Sequence, residues 1–474
     1  MAISVSSVRR ERFHIPLGSC LFQSQFAGIY LARLKSSKSR LLKLASNRYP
    51  NLAVRSLADV EPDEECIIIG TIFRSCPQKP SIIKQLAQME QIGSQLLLES
   101  QNNQQSLSSR LAGLEDEFFL EDEVQRISLD IQSQDLAGRL TTGVVACIMG
   151  VQPSKSLGSF IVKEATFIEP QPQKSISGVN FVGASHPSFD TGFWVGFVSG
   201  LGFTASADGG CHGHELALSL LGDFLRENKL SRLFVLGDCI RASAAGGLET
   251  LGVIQQARFL TRKTDADSVL AMSALDTWLS DLPLGDGFTV QLQPGVSDCV
   301  SQLLPQQPFH SLLFPKTVGR FGKGEDALIS TTNPCITEVF ARTILTSSGQ
   351  NISDVYKYTS SGDVLDCMES ILQWGHLAPT CPDTIFSYPQ TESDSLLLHT
   401  DPDTGSCADY PDIFAAGNQP MAGFRRASLK TGSSDKEGAL LLSVPRFDVT
   451  FTIVLLELES LRCLPVKFDL SQIE

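Results

Sequence analysis

Apolar residues recur at three-to-four spacing from about Ser19 to Asn47. Leu21, Phe22, Phe26, Ile29, Tyr30 and Leu34 share one face, and Arg33, Lys35, Lys38 and Arg40 fall mostly off it. That spacing predicts an amphipathic helix packed on its own domain. Residues 1–18 show no such period and read as a loose start. The period then changes. Cys66–Phe73 is an apolar, Ile-rich run, Val124–Ile131 alternates, and Gly143–Val151 and Ser159–Ile168 follow. Turn residues between Gly150 and Gly158 fit a hairpin joining the last two. Short strands this closely spaced predict a small barrel of the oligonucleotide-binding (OB) type. Two polar stretches interrupt it. Gln88–Ser109 is rich in Gln, Ser and Asn and reads as an insertion, and Glu115–Glu123, with six acidic residues, reads as a solvated turn.

Pro170, Pro172, Gly178 and Gly183 stand among Ser and Gln and mark a linker. Beyond it, strand-like and helix-like runs alternate. Phe193–Ser199, Leu233–Leu236, Phe288–Leu292, Ile413–Ala416 and Phe451–Leu458 read as strands; Glu215–Arg226, Thr250–Arg262 and Asp265–Asp281 read as helices. Alternation with Gly-marked loops at the strand ends predicts α/β layers. The expected domains are an N-terminal segment with its helix (1–45), an OB-type barrel with its 88–109 insertion (46–170), a linker (171–190) and a layered α/β domain (191–474).

Composition narrows the function. The chain has 474 residues, 42% hydrophobic and 19% charged, which suits a packed protein of more than one domain. Its formal net charge of −14 argues against a general DNA binder, because phosphate binding rests on Lys and Arg. Twelve Cys occur without a Cys-x-x-Cys pair, and Arg9, Arg10, Glu11 and Arg12 interrupt any early apolar region. Reduced, mostly buried thiols such as Cys66, Cys147 and Cys463 in a cytosolic or nuclear protein are expected. No apolar run approaches the length of a membrane span, so no membrane partner is expected. Phe73, Phe160 and Phe167 of the barrel have few cations beside them and read as core rather than as a stacking platform for single-stranded DNA.

Chemistry in α/β sheets sits at strand ends, so four Gly corners carry the question: Gly200, Gly237, Gly295 and Gly417. A binuclear metal site for phosphoester hydrolysis needs bridging carboxylates and several His, Asp or Asn ligands. The first corner, Ser199-Gly-Leu201, offers no ligand, and the second, Gly237-Asp-Cys-Ile-Arg241, offers Asp238 but sets Arg241 where a second carboxylate belongs. The third, Gly295-Val-Ser-Asp298, lacks Asn and His, and the fourth, Gly417-Asn-Gln-Pro420, has Asn418 but no His. Asp238, Arg241, Asp298 and Asn418 thus read as the remains of a site without catalytic residues, metal or cofactor. Arg241 is expected in the cleft, paired with Asp238 or Asp298, since a buried charge needs a partner. The alternative is a metal-dependent phosphoesterase or nuclease using Asp238 and Asp298. Cys211-His-Gly-His214 lacks a fourth zinc ligand and reads as an exposed loop, and Gly319–Gly324 reads as a solvated basic turn.

A barrel followed by a ligand-stripped phosphoesterase domain resembles the B-subunits of replicative DNA polymerases, and the delta branch of that family in particular. The blocks that carry the likeness run in order from Gln25-Phe-Ala-Gly-Ile-Tyr-Leu-Ala-Arg-Leu34 through Ile69–Arg74, Leu120-Glu-Asp-Glu-Val-Gln-Arg-Ile127 and Val198–Gly202. They continue through Leu304–His310, Thr332–Pro334, Ser348-Gly-Gln-Asn-Ile-Ser-Asp354 and His376–Thr384 to Gly417-Asn418. The resemblance implies an inactive calcineurin-like phosphoesterase domain and a non-catalytic subunit. It implies a nuclear scaffold in replication and repair, bridging the C-terminal region of the polymerase delta catalytic subunit to a third subunit that carries a sliding-clamp motif. It also implies sharing with polymerase zeta, and DNA contact that is indirect or weak and local.

Overall fold

The fold is described from a computed structural model. It describes residues 7–470 apart from 17, 19–21, 24, 80–109, 157, 174–192, 206–211, 242–266, 286, 323–326, 361 and 432–433. The expected insertion 88–109, most of the linker 171–190 and the helix Thr250–Arg262 lie outside the described residues.

The long N-terminal helix spans Ala27–Arg48. It leads to a closed five-stranded barrel of Glu65–Ser75, Glu117–Glu121, Arg126–Ile131, Val145–Val151 and Ser159–Thr166. Arg126–Ile131 pairs in parallel with Ser159–Thr166, and the other barrel pairings are antiparallel. Alternation explains the acidic stretch that reads as a turn. In Glu117–Glu121, Phe118 and Leu120 point into the barrel core while Glu117 and Glu121 stay outside. These acidic residues are the outer face of a strand, so the expected turn is wrong. Phe160 and Phe167 are core as expected; Phe73 is half-buried against Phe119, with rings 6.4 Å apart.

The rest is a mixed α/β sandwich of two six-stranded sheets. In one sheet Trp194–Val198, Arg232–Leu236, Thr289–Gln293 and Leu328–Ser330 run parallel, with Thr452–Glu457 antiparallel at the side of Trp194–Val198. In the other, Arg342–Ser347, Ile413–Gln419 and Ser434–Pro445 run parallel. The facing surfaces share a core of Phe197, Phe234, Ile344, Ile413, Leu440 and Val454. Helices His212–Glu227 and Asp267–Asp281 cover the outer face of the first sheet, and Gln350–Lys357 and Val364–Trp374 that of the second. From Ser7 the start of the chain is not loose either. Ser7–Val8 adds an edge strand to Cys335–Val339, Phe13 is fully buried, and Arg12 Nε donates to Asp409 at 2.7 Å.

Barrel and sandwich are continuous inside. One apolar cluster joins Ile68, Ile72, Leu120 and Phe160 of the barrel to Met368, Trp374, Leu377 and Phe414 of the sandwich. The second join is polar. Arg33, on the helical face read as polar, is 1% exposed. Its guanidinium donates to Asp394 (2.8 Å), to the Gly143 carbonyl of the barrel (3.0 Å) and to the carbonyls of Pro379 (2.7 Å) and Cys381 (2.8 Å). The Ala378 N–H donates to His376 Nδ1 at 3.1 Å, so Nε2 carries the ring proton toward Asp394, 2.8 Å away. Burial, then the neighbouring Arg33 charge, lower the His376 pKa and keep the ring neutral. Burial pushes the Asp394 carboxyl up, but His376 and Arg33 outweigh it and hold it well below the usual carboxylate range.

Two outcomes follow from this cluster. Arg33→Met leaves the Asp394 carboxylate buried without its cation and is expected to lose about 3–5 kcal/mol in urea unfolding; a loss below about 1 kcal/mol, the scale of a surface pair, would show that the cluster is incidental. A depressed carboxyl contributes stability that is complete above its unfolded pKa, about 4, and is lost as pH falls through the folded value. Stability of the parent chain should therefore fall more steeply below about pH 4 than that of Asp394→Asn, and parallel acid-unfolding curves would contradict the linkage.

Candidate functional site

The four corners converge. Parallel strands of both sheets end on the same side, and their loops interlock by backbone hydrogen bonds: Gly200 N–H to the Gly237 carbonyl at 2.9 Å and Gly202 N–H to the Asp238 carbonyl at 3.3 Å. Asn418 reaches across the sheets, donating through Nδ2 to the carbonyls of Leu236 (3.2 Å) and Ser348 (3.0 Å). Contact is too close for side chains at two points. A Cβ on Gly237, at φ +77°, would lie 2.7 Å from Ser348 Cβ, and one on Gly295 would lie 2.4 Å from Asp238 Oδ1. Asp238 (φ 53°) and Asn418 (φ 56°) themselves adopt the left-handed conformation that disfavours most side chains.

Each carboxylate at the corners is already engaged. Asp298 Oδ1 accepts the N–H groups of Cys239 (2.8 Å) and Ile240 (3.2 Å), and Oδ2 accepts that of Gly295 (2.7 Å). It therefore staples the second corner to the third. Burial, then the nearby Asp238 carboxylate, push Asp298 up to about 7, against the pull of these N–H groups. Asp238 Oδ1 accepts the Ser297 N–H at 3.1 Å, and Oδ2 takes Arg446 Nη1 at 3.2 Å.

Arg446 is the cation of this cleft, and no glycine corner marks it in the sequence. It follows the strand Ser434–Pro445 directly, with no glycine to mark the turn. Its guanidinium forks onto Asp448 (Nε to Oδ1 3.1 Å, Nη2 to Oδ2 2.9 Å) while Nη1 holds Asp238. Arg241 does not pair with Asp238 or Asp298 as expected. The chain at Ile240–Arg241 runs beside Phe203, and the exposed guanidinium closes on Asp448 from the solvent side. Burial pushes Asp448 up, but Arg446 and then Arg241 more than offset this and lower its pKa.

Beside these groups opens a cleft of about 520 Å³ lined by Asp238, Asn418, Arg446, Gln350, Asp354 and Phe386. Among the described residues, no three His, Cys, Asp or Glu are grouped to hold a metal ion. Cys239 is a buried thiol raised well above its usual pKa by burial and by the neighbouring Asp298 and Asp238, the reverse of an activated nucleophile. His214 is not in an exposed loop: it lies in the helix His212–Glu227, buried, with Nε2 at 2.8 Å from the Leu201 carbonyl. Cys211 lies outside the described residues, and so does Lys323 of the basic turn, whose first residues close the helix Pro315–Phe321. At the corners, charged side chains lock loops to one another.

The barrel and the sandwich each match a family model of polymerase subunits. The family model for the DNA polymerase alpha/epsilon B-subunit matches residues 195–419, and that for the DNA polymerase delta subunit OB-fold domain matches residues 25–165. Full-length likeness narrows the branch. DNA polymerase delta subunit 2 of Drosophila melanogaster is 30% identical over 463 residues, covering 95% of this chain and 94% of that protein. The DNA polymerase delta small subunits of Oryza sativa subsp. japonica (28%; 94% of both chains) and of Saccharomyces cerevisiae (26%; 95% and 90%) are similar along the same length. The chain belongs to the DNA polymerase delta small-subunit family.

Asp298→Asn turns one acceptor oxygen into a donor facing a backbone N–H. The expected loss is about 1–3 kcal/mol in thermal or urea unfolding, and unchanged stability would refute the staple.

Proposed function

We propose that the chain is a non-catalytic accessory subunit of DNA polymerase delta and acts as a scaffold. It bridges the C-terminal region of the catalytic subunit to the third, clamp-motif subunit in replication and repair, works in the nucleus and is shared with polymerase zeta. Polymerisation belongs to the catalytic chain. The α/β part, 191–474, is a calcineurin-like phosphoesterase domain that has lost its chemistry, joined through the linker 171–190 to the OB domain 46–170 and the N-terminal segment 1–45. Asp238, Arg241, Asp298 and Asn418 are the vestiges of the old site. The observation that carries this reading is Arg446, whose guanidinium takes Asp238 at 3.2 Å and Asp448 at 2.9 Å, where a hydrolase would set a metal ion. A cation there repels a metal and uses up the carboxylate that would bind one. Membership of the delta small-subunit family supports the same reading.

Affinity purification of the tagged chain from nuclear extract is expected to bring down a polymerase catalytic subunit in stoichiometric amount; a preparation without one refutes the proposal. The purified chain is expected to leave phosphodiesters intact in Mn²⁺. Stoichiometric bound metal that disappears in Asp238→Ala would instead favour the hydrolase reading.

A further inference from the structure

We propose that a groove on the flank of the barrel receives a basic, apolar-anchored segment of a partner protein. The proposal takes from the scaffold reading only that the occupant is protein. The groove, about 710 Å³, lies between the strands Glu117–Glu121 and Arg126–Ile131 and the short helix Gln134–Arg139.

Its charge has one sign. Glu117 and Asp130 stand exposed on its wall, and neither has an ion-pair partner among the described residues. Arg74, the one cation among the described residues that line it, is buried and committed: it pairs with Asp116 at 2.8 Å and donates to the Leu140 carbonyl at 2.8 Å. Asp116 holds Arg74 in place behind the wall. Its side chain is 1% exposed and lies behind the groove wall; Oδ2 takes Arg74 and the Gly113 N–H (3.0 Å), which leaves the buried Arg74 charge neutralised and the exposed carboxylates without a cation of their own among the described residues. A Lys or Arg entering the groove finds Glu117 and Asp130 as its partners. Leu114, 94% exposed, stands on the lip. A long cationic side chain lays its apolar stem on such a surface and carries its charge inward, and unpaired carboxylates steer a basic partner toward it.

Nucleic acid fits worse. The groove repels phosphate, and the nearby aromatic pair that could stack bases, Phe73 and Phe119, already holds the Arg126 guanidinium at 4.5 and 3.8 Å from the ring centres. Glu121 pins that guanidinium at 3.4 Å.

The test uses the full chain and three fluorescent probes: a Lys/Leu peptide, a Glu/Leu peptide of the same pattern, and an oligothymidylate. The Lys/Leu peptide is expected to bind, and the double variant Glu117→Lys, Asp130→Lys, whose two sites are exposed, to weaken it about tenfold or more with an unchanged unfolding midpoint. Equal affinity of parent and variant, or a Glu/Leu peptide that binds as tightly as the Lys/Leu peptide, overturns the proposal. A photoreactive residue at Leu114 in the purified polymerase complex is expected to capture a Lys- or Arg-rich segment of another subunit. If the complex assembles and no such segment is captured, this groove is refuted and the scaffold reading stands; if no complex assembles, the scaffold reading falls and the peptide measurement alone decides the groove.

Discussion

Three chain segments far apart in sequence meet at the Arg33 guanidinium. The N-terminal helix supplies the cation; the barrel supplies the Gly143 carbonyl; the sandwich supplies Asp394 and the carbonyls of Pro379 and Cys381. A buried ion pair is not in itself a source of stability, because desolvation offsets much of the attraction. Its value here lies in geometry. A guanidinium has five donors in a rigid fork, and four of its contacts here fix the relative placement of three structural parts. An apolar residue in its place could fill the space but could not set that register. His376, held as the neutral tautomer by the Ala378 N–H, completes Asp394's coordination without adding a second buried positive charge.

Such fixing has a functional meaning. A hinge between barrel and sandwich would need a weak interface, but the core is continuous from Phe160 to Trp374 and Phe414. Arg139 Nη2 also donates to Gln373 Oε1 at 2.7 Å, and Glu169 N–H to the Gln373 carbonyl at 2.9 Å, across the same boundary. Separating the parts would expose a contiguous apolar surface and strand several buried polar groups. The whole therefore presents its surface as one unit, as the proposed scaffold role requires.

Much of this was legible in the chain. Most barrel strands follow from alternation and from the hairpin between Gly150 and Gly158, and Trp194–Val198, Arg232–Leu236, Thr289–Gln293 and Ile413–Gln419 from apolar runs that stop at glycine. Arg342–Ser347 and Ser434–Pro445, by contrast, have no place in the sequence reading. The errors share a cause. Arg33 and the acidic strand Glu117–Glu121 were judged by residue polarity, and polarity does not say whether a charge has a partner 361 positions away in the chain, as Arg33 has in Asp394. Arg446 escaped for the complementary reason. Its turn uses no glycine, and its role depends on Asp238, 208 positions distant. The pairing of Arg241 with Asp448 was hidden for the same reason: the carboxylate lies in the short turn Phe447–Thr450, which reaches the corner only through the sheet order of the folded sandwich.

Under the proposed descent from a hydrolase, the corners show how a catalytic arrangement becomes a structural one at small physical expense. Strand ends that hold a metal must gather like charges, and like charges at close range need compensation. Without an ion, Asp238 and Asp298 repel each other. Arg446 restores the balance with a charge attached to the fold, and the backbone N–H groups of Gly295, Cys239 and Ile240 absorb Asp298. The strained left-handed backbone at Asp238 and Asn418 persists because both residues still bind across the corners. On that reading a site for a mobile cation is closed by a tethered one, and loops suited to positioning ligands hold two sheets in register. Under the same proposal, the electrostatics that end the chemistry also keep the loops rigid.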